Sequence, residues 1–146
     1  AAAQDSEWDG VITISTFANL RDVIDHQIRP KAAEYKVEFL TPIASFSIET
    51  VASMRSHLHI SEINSEKLIK SIDKPIVLIH GDNDWLIPDS HSDRLYNAIE
   101  HDKKILIKVP GASHHDALAK GGKSLYLDLC AFLLKHRLPE EKLASP

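Results

Sequence analysis

The sequence predicts an α/β fold, a parallel sheet flanked by helices, and three observations lead there. Short apolar, β-branched runs recur at 11–17, 75–81 and 105–109, each followed by a polar or glycine-bearing loop. Between and after them, apolar residues fall at helical spacing, so the order reads strand, helices, strand, helix, strand, helix. Such alternation favours parallel strands joined by right-handed crossovers, with the helices laid on the sheet faces.

The chain opens Ala1-Ala2-Ala3-Gln4, which reads as the last turn of a helix because alanine is the strongest helix former; a cloning remnant is the alternative. Val11-Ile12-Thr13-Ile14-Ser15-Thr16-Phe17 follows a turn at Asp9-Gly10 and predicts a strand buried on both faces. Leu20 to Tyr35 is helical in spacing, interrupted by Pro30, with Leu20, Val23, Ile24 and Ile28 on one face. Pro42 then breaks the pattern, and Ser47–His57 predicts a second amphipathic helix. Ser65–Ile72 is a short helix with Leu68 and Ile69 on its apolar side. Pro75–Gly81 is a buried strand ending at a glycine. Pro88-Asp89 introduces a helix in which Ser90 and Asp93 fit the Ser-x-x-Asp capping pattern, and Leu95, Ala98 and Ile99 make the inner face. Ile105–Val109 is a strand closed by Pro110-Gly111. The final helix spans Ser124 to Arg137, with Leu125, Leu129, Phe132 and Leu133 as its core stripe and Pro139 just beyond its end. Cys130 lies near that stripe and reads as a buried structural thiol. The tail from Glu140 is polar and expected to fray. The 18–74 stretch exceeds what one crossover helix needs, which predicts a lid or crossover insertion ahead of a 75–138 segment holding the clearest strands.

Composition removes several function classes. With 146 residues and 43% hydrophobic content, the chain can build one core. Its 17 basic and 21 acidic residues include no basic run, which argues against a nucleic-acid partner. Apolar runs such as Ile76–Ile79 are too short to span a membrane. The single Cys130 excludes an internal disulfide and a cysteine-based zinc site. His57-Leu58-His59 and His114-His115-Asp116 supply no recognised ligand set, so no metal or organic cofactor is implied. No basic segment followed by an apolar one marks a signal peptide, and a cytoplasmic location is the expectation.

Functional groups of open α/β sheets collect at the carboxyl ends of the strands. Asp84 lies three residues past one strand end and His114 five past the next. Adjacent strands run about 5 Å apart, so a carboxylate and an imidazole on neighbouring loops can meet. A buried carboxylate accepting one ring N–H fixes the tautomer of the histidine, leaving its other nitrogen free to take a proton from a nucleophile. Asp82 reads as a turn residue, His115 as the competitor of His114, and Asp116 as the cap of a short helix after the histidine loop. Phe17 and Trp85 are candidate substrate contacts, with packing against the lid the alternative for Trp85.

Two of these segments resemble a known family. Pro75–Pro88, P-I-V-L-I-H-G-D-N-D-W-L-I-P, is similar to the acid-bearing strand of the α/β-hydrolase superfamily, P-[apolar]4-x-G-x-x-D-x-x-[V/I]-P. G-A-S-H-H-D resembles its histidine loop, and the chain order, acid then histidine, is the order of that superfamily. Gly10–Phe17 followed by Leu20-Arg21-Asp22-Val23 resembles the strand after the nucleophile helix in lipase-like and serine-aminopeptidase-like members. The resemblance implies Asp84 as catalytic acid and His114 as catalytic histidine, with Ala1–Ala3 as the tail of the nucleophile helix. One element departs from the pattern. The glycines Gly10, Gly81, Gly111, Gly121 and Gly122 bracket no serine in a G-x-S-x-G elbow, and the oxyanion loop of HG type is absent, since His80-Gly81 immediately precedes the acid and does not replace it.

The implied protein is therefore the C-terminal portion of an α/β-hydrolase fold, about three strands with part of a lid. It would belong to a serine hydrolase that cleaves a small-molecule ester, thioester or amide with a serine outside this sequence. Its expected partners are that acyl substrate and the N-terminal half of the same fold, or a second copy paired through the strand at 11–17. The alternative is a non-catalytic α/β-hydrolase-like domain that binds a protein or ligand, since fold does not fix function.

Overall fold

The computed structural model describes residues 8–56 and 63–136. A three-stranded parallel sheet has the order β1-β2-β3, with β1 at Val11–Ile14, β2 at Ile76–Gly81 and β3 at Lys104–Val109. Between β1 and β2 come α1 (Leu20–Glu34), a 3-10 turn at Glu38–Leu40, α2 (Thr41–Ser56) and α3 (Ser65–Ile69). Helix α4 (Ser90–Ala98) joins β2 to β3, and α5 (Ala117–Lys135) follows β3.

Strand β2 is buried throughout because helices cover both its faces. Ile76 and Leu78 pack with Ala18, Ile69, Leu95 and Ile99, from the side of α3 and α4. Val77 and Ile79 pack with Ala117, Leu125 and Phe132 on the α5 side. β1 corrects the sequence expectation. It is shorter than 11–17 and alternates, with Ile12 50% and Ile14 42% exposed. The register sets these two beside Val77 and Ile79, on the face of α5, whereas α5 packs on β2 and β3. The strand ends where Ser15 turns to a positive φ of 49°.

Two asparagine caps, one near each end of the long crossover, are joined by the Asn19–Asn64 bridge. Asn19 Oδ1 accepts from Arg21 N at 2.8 Å and Asn64 Oδ1 from Lys67 N at 3.0 Å, satisfying amides that have no partner inside their helices. Pro30 sits inside α1 without ending it. Pro42 starts a helix rather than breaking one, because the first turn has no intrahelical use for its missing N–H. Helix α2 therefore begins six residues ahead of Ser47. It packs on α1 through polar groups: the Ser45 hydroxyl donates to Asp25, and Arg21 pairs with Glu49 at 3.2 Å. Its apolar side chains Ile43, Phe46, Val51 and Met54 face outward and are exposed.

Three smaller expectations also change. In α3, Ile69 is buried but Leu68 is exposed. Helix α4 begins at Ser90, with Asp89 at the cap position, and the carboxylates of Asp89 and Asp93 both bind Lys108 Nζ at 2.8 Å instead of capping. Leu95 and Ile99 do form its inner face. The final helix is broken at Gly122 (φ 49°, ψ −143°), which separates a short first turn from the longer stretch foreseen in the sequence. Leu125 and Phe132 face the core, but Leu133 and Cys130 are exposed. The readings at Ala1–Gln4, at His57 and His59, and from Arg137 onward fall outside the described residues.

Candidate active site

The loops after β2 and β3 are held backbone against backbone. A Cβ on Gly81 would stand 2.2 Å from the carbonyl oxygen of Ala112, so only glycine allows this approach. Asn83 N donates to Ala112 O at 3.0 Å, and Gly111 N donates to Asp82 Oδ1 at 2.6 Å. Asp82 thus serves the turn, tying one loop to the other, and does not reach the imidazole of His114.

On this frame Asp84 turns inward. Its Oδ1 accepts the N–H groups of Leu86 and Ile87, each at 2.9 Å. Its Oδ2 lies 2.9 Å from His114 Nδ1. Burial disfavours the charged carboxylate, but the Ile87 N–H, the His114 imidazole and the Leu86 N–H outweigh it and hold the carboxyl below its ordinary value. An ionised oxygen facing Nδ1 places the proton on Nδ1. The side chain of His114 is 20% exposed, and among the described residues no hydrogen bond reaches Nε2. A carboxylate with both oxygens engaged therefore orients an imidazole whose second nitrogen is open, an arrangement able to accept and return a proton.

Sequence-predicted residues separate clearly here. Asp84 and His114 come together. His115 is exposed, its ring edge-on to that of His114 at 4.9 Å. Asp116 occupies the cap position of α5, but its carboxylate turns back to Ser113 N at 2.5 Å and pairs with Lys120 at 3.0 Å. Trp85 is 63% exposed, and its carbonyl, with that of Leu86, accepts from Gln27 Nε2 of α1 at 3.2 and 2.9 Å. Phe17 is half-buried in the loop after β1. That loop is anchored by His91 of α4, whose Nδ1 accepts from Ala18 N at 3.1 Å. Burial, with Arg94 beside it, holds the buried His91 below its ordinary value.

Sequence reasoning missed His80, His91 and Gln27. His80 is fully buried in β2, with Nε2 2.9 Å from Ile87 O and 3.3 Å from Asp84 Oδ2. A signal existed for it alone: one polar residue inside an apolar run. Open cavities of about 420 and 480 Å³ flank α1, and neither is lined by Asp84 or His114. Among the described residues no cluster of His, Cys, Asp and Glu is arranged to hold a metal, and no helix is long and apolar enough to cross a membrane.

A family model described as serine hydrolase (FSH1) matches residues 1–115. No curated protein matches the chain. Among solved structures, a puromycin-hydrolyzing peptidase from Mycobacterium tuberculosis aligns with a TM-score of 0.60 at 16% identity, over 94% of this chain and 20% of that one. An esterase domain from a Rhodothermus marinus protein aligns at 0.57 and 15% identity, over 93% of this chain and 53% of that one. A meta-cleavage product hydrolase from Pseudomonas fluorescens aligns at 0.54 and 17% identity, over 92% and 59%. At these identities the likeness carries the fold alone, and the chain spans between a fifth and three fifths of these proteins' lengths.

Proposed function

The chain belongs to the serine hydrolase (FSH1) family and has the α/β-hydrolase fold over the part it spans, and from that premise we propose that Asp84 and His114 are the acid and base of a Ser-His-Asp triad whose serine lies outside this sequence. The observation that carries this reading is the 2.9 Å contact between His114 Nδ1 and the buried, doubly anchored Asp84 carboxylate. In the reaction, His114 Nε2 takes the proton of the serine hydroxyl as its oxygen attacks the carbonyl of an ester, thioester or amide. The imidazolium then gives that proton to the leaving alcohol, thiol or amine, and an acyl-enzyme remains. Water repeats the sequence and releases the acid. Asp84 stays ionised throughout and stabilises the imidazolium. No metal or organic cofactor enters these steps.

The 18–74 segment is read as a lid over the acid- and histidine-bearing 75–138 segment. The two hydrogen bonds from Gln27 to the Trp85 and Leu86 carbonyls support that placement. Trp85, exposed beside the acid, and Phe17, on the loop held by His91, are the proposed substrate contacts.

A fluorophosphonate probe tests the reading on the intact protein. It should label one serine, in a G-x-S-x-G segment outside these 146 residues, and the label should disappear in His114→Ala. Labelling of a serine within the chain, or labelling indifferent to His114→Ala, would overturn it.

A further inference from the structure

His80 has no part in the mechanism above, yet it touches the acid. It is the penultimate residue of β2 and is entirely buried. Its Nε2 faces two oxygens, the Ile87 carbonyl at 2.9 Å and Asp84 Oδ2 at 3.3 Å. Both are acceptors, so the ring carries its proton on Nε2 and donates it to the Ile87 carbonyl, with Asp84 Oδ2 at ion-pair distance beside that bond. Nδ1 is buried with no hydrogen-bond partner. An orphaned ring nitrogen is a cost that an apolar side chain in this core position would not carry. What the imidazole offers in return is the Nε2–H.

We propose that His80 is a positioning residue of the catalytic pair, whose Nε2–H, bonded to the Ile87 carbonyl and set beside Oδ2 of Asp84, tunes the pull of that carboxylate on His114. The inference rests on the triad reading above. Oδ1 is filled by the Leu86 and Ile87 amides, so the field felt by His114 comes mainly through Oδ2. The positive end of the Nε2–H dipole, 3.3 Å from that oxygen, offsets part of its charge, so removing it should strengthen the pull of Asp84 on His114. The same N–H closes the turn that aims the Leu86 and Ile87 amides at Oδ1, so one ring governs both the orientation and the charge of the acid. The other titratable neighbours are His115, edge-on to His114, and His91 on α4, which feels His80, His26, Asp22 and Arg94.

Side-chain ¹⁵N NMR of the intact, unaltered protein gives the first test. His80 should show a protonated Nε2 and a bare Nδ1; a proton on Nδ1 overturns the proposal. His80→Leu removes the donor, and His80→Gln keeps an N–H near the position of Nε2. The titration of His114, followed by NMR and by the acid limb of kcat/KM, should move up by about half to one pH unit in His80→Leu and stay near the unaltered protein in His80→Gln. No movement in His80→Leu, or equal movement in both variants, overturns the proposal. Should His80→Leu not fold, the tautomer and the His80→Gln titration decide it. The two readings fail differently. If Asp84→Asn leaves hydrolysis and the His114 titration intact, the triad assignment falls; if Asp84→Asn abolishes hydrolysis while His80→Leu leaves the His114 titration in place, only the role of His80 falls.

Discussion

Replacing Asp84 with asparagine removes the charge of the acid and leaves its shape. The amide oxygen can keep both contacts of Oδ1, to the Leu86 and Ile87 N–H groups at 2.9 Å, so the turn retains its hydrogen bonds. The amide NH₂ then occupies the place of Oδ2, facing His114 Nδ1. Two donors cannot share that contact, so the imidazole must move its proton to Nε2, where in the proposed mechanism it would block uptake of the serine proton. The expected loss in kcat/KM is up to about 10⁴, or about 5 kcal/mol of transition-state stabilisation. The fold should lose only the charge-assisted share of the hydrogen bonds to Leu86 N, Ile87 N and His114 Nδ1, about 1–3 kcal/mol. Hydrolysis of an activated short-chain ester by the intact protein measures the first quantity, and urea unfolding the second. His114→Ala should be at least as damaging as Asp84→Asn, and His115→Ala much milder. A folded Asp84→Asn protein within tenfold of the original activity would refute the tautomer argument. A His115→Ala change more severe than His114→Ala would refute the assignment within the histidine pair.

Three further outcomes follow from the same geometry. Gly81→Ala would set a Cβ 2.2 Å from a main-chain oxygen that no rotamer change can move, so stability should fall by roughly 2 kcal/mol or more, and an unchanged urea midpoint would count against the backbone docking of the two loops. Because the folded-state value of Asp84 lies below its ordinary value, its stabilising contribution is fully present above about pH 4 and disappears as pH falls through the folded-state value; Asp84→Asn should flatten this acid limb, and parallel curves for the two proteins would speak against it. β1 stands at one edge of the sheet with Ile12 and Ile14 exposed, so the isolated chain should self-associate or capture an N-terminal half; sedimentation showing a monomer at all concentrations, with the Val11–Ile14 amides protected from exchange, would contradict this.

The elements legible in the sequence are those whose surroundings are local. The run at Ile76–Gly81 is apolar on both alternating sets, and it is covered on both faces. Val11–Ile14 has similar composition, but its exposure depends on where α5 packs, which no local pattern encodes. The phase of the last helix was misjudged for Cys130 and Leu133, since the stripe drawn through Leu125 and Phe132 does not say how wide the covered face is. Pro42 reads locally as a breaker, yet its position in a first turn makes it a starter. Asp84 and His114 stand out in the sequence because loops at strand ends advertise their chemistry, and the structure brings the two side chains into contact. His80 was passed over because it lies inside a strand, and Gln27 and His91 because their contacts, 59 and 73 residues away, leave no trace in local spacing.

Chain separation also bears on the order in which the site assembles. Asp84 and His114 are 30 residues apart and belong to one β2-α4-β3 unit, whereas the Ala18–His91 contact closes 73 residues. Loop-closure entropy grows as the logarithm of length, which favours the shorter closure by about 0.8 kcal/mol before any packing is counted. The Asp84–His114 contact is thus expected to form early, with β2 and β3, while the crossover helices dock afterwards. In pulsed hydrogen exchange the amides of Ile76–Gly81 and Lys104–Val109 would gain protection before those of Leu20–Glu34. A refolding chain would then hold its proposed proton-transfer pair in place while the approach to it is still open.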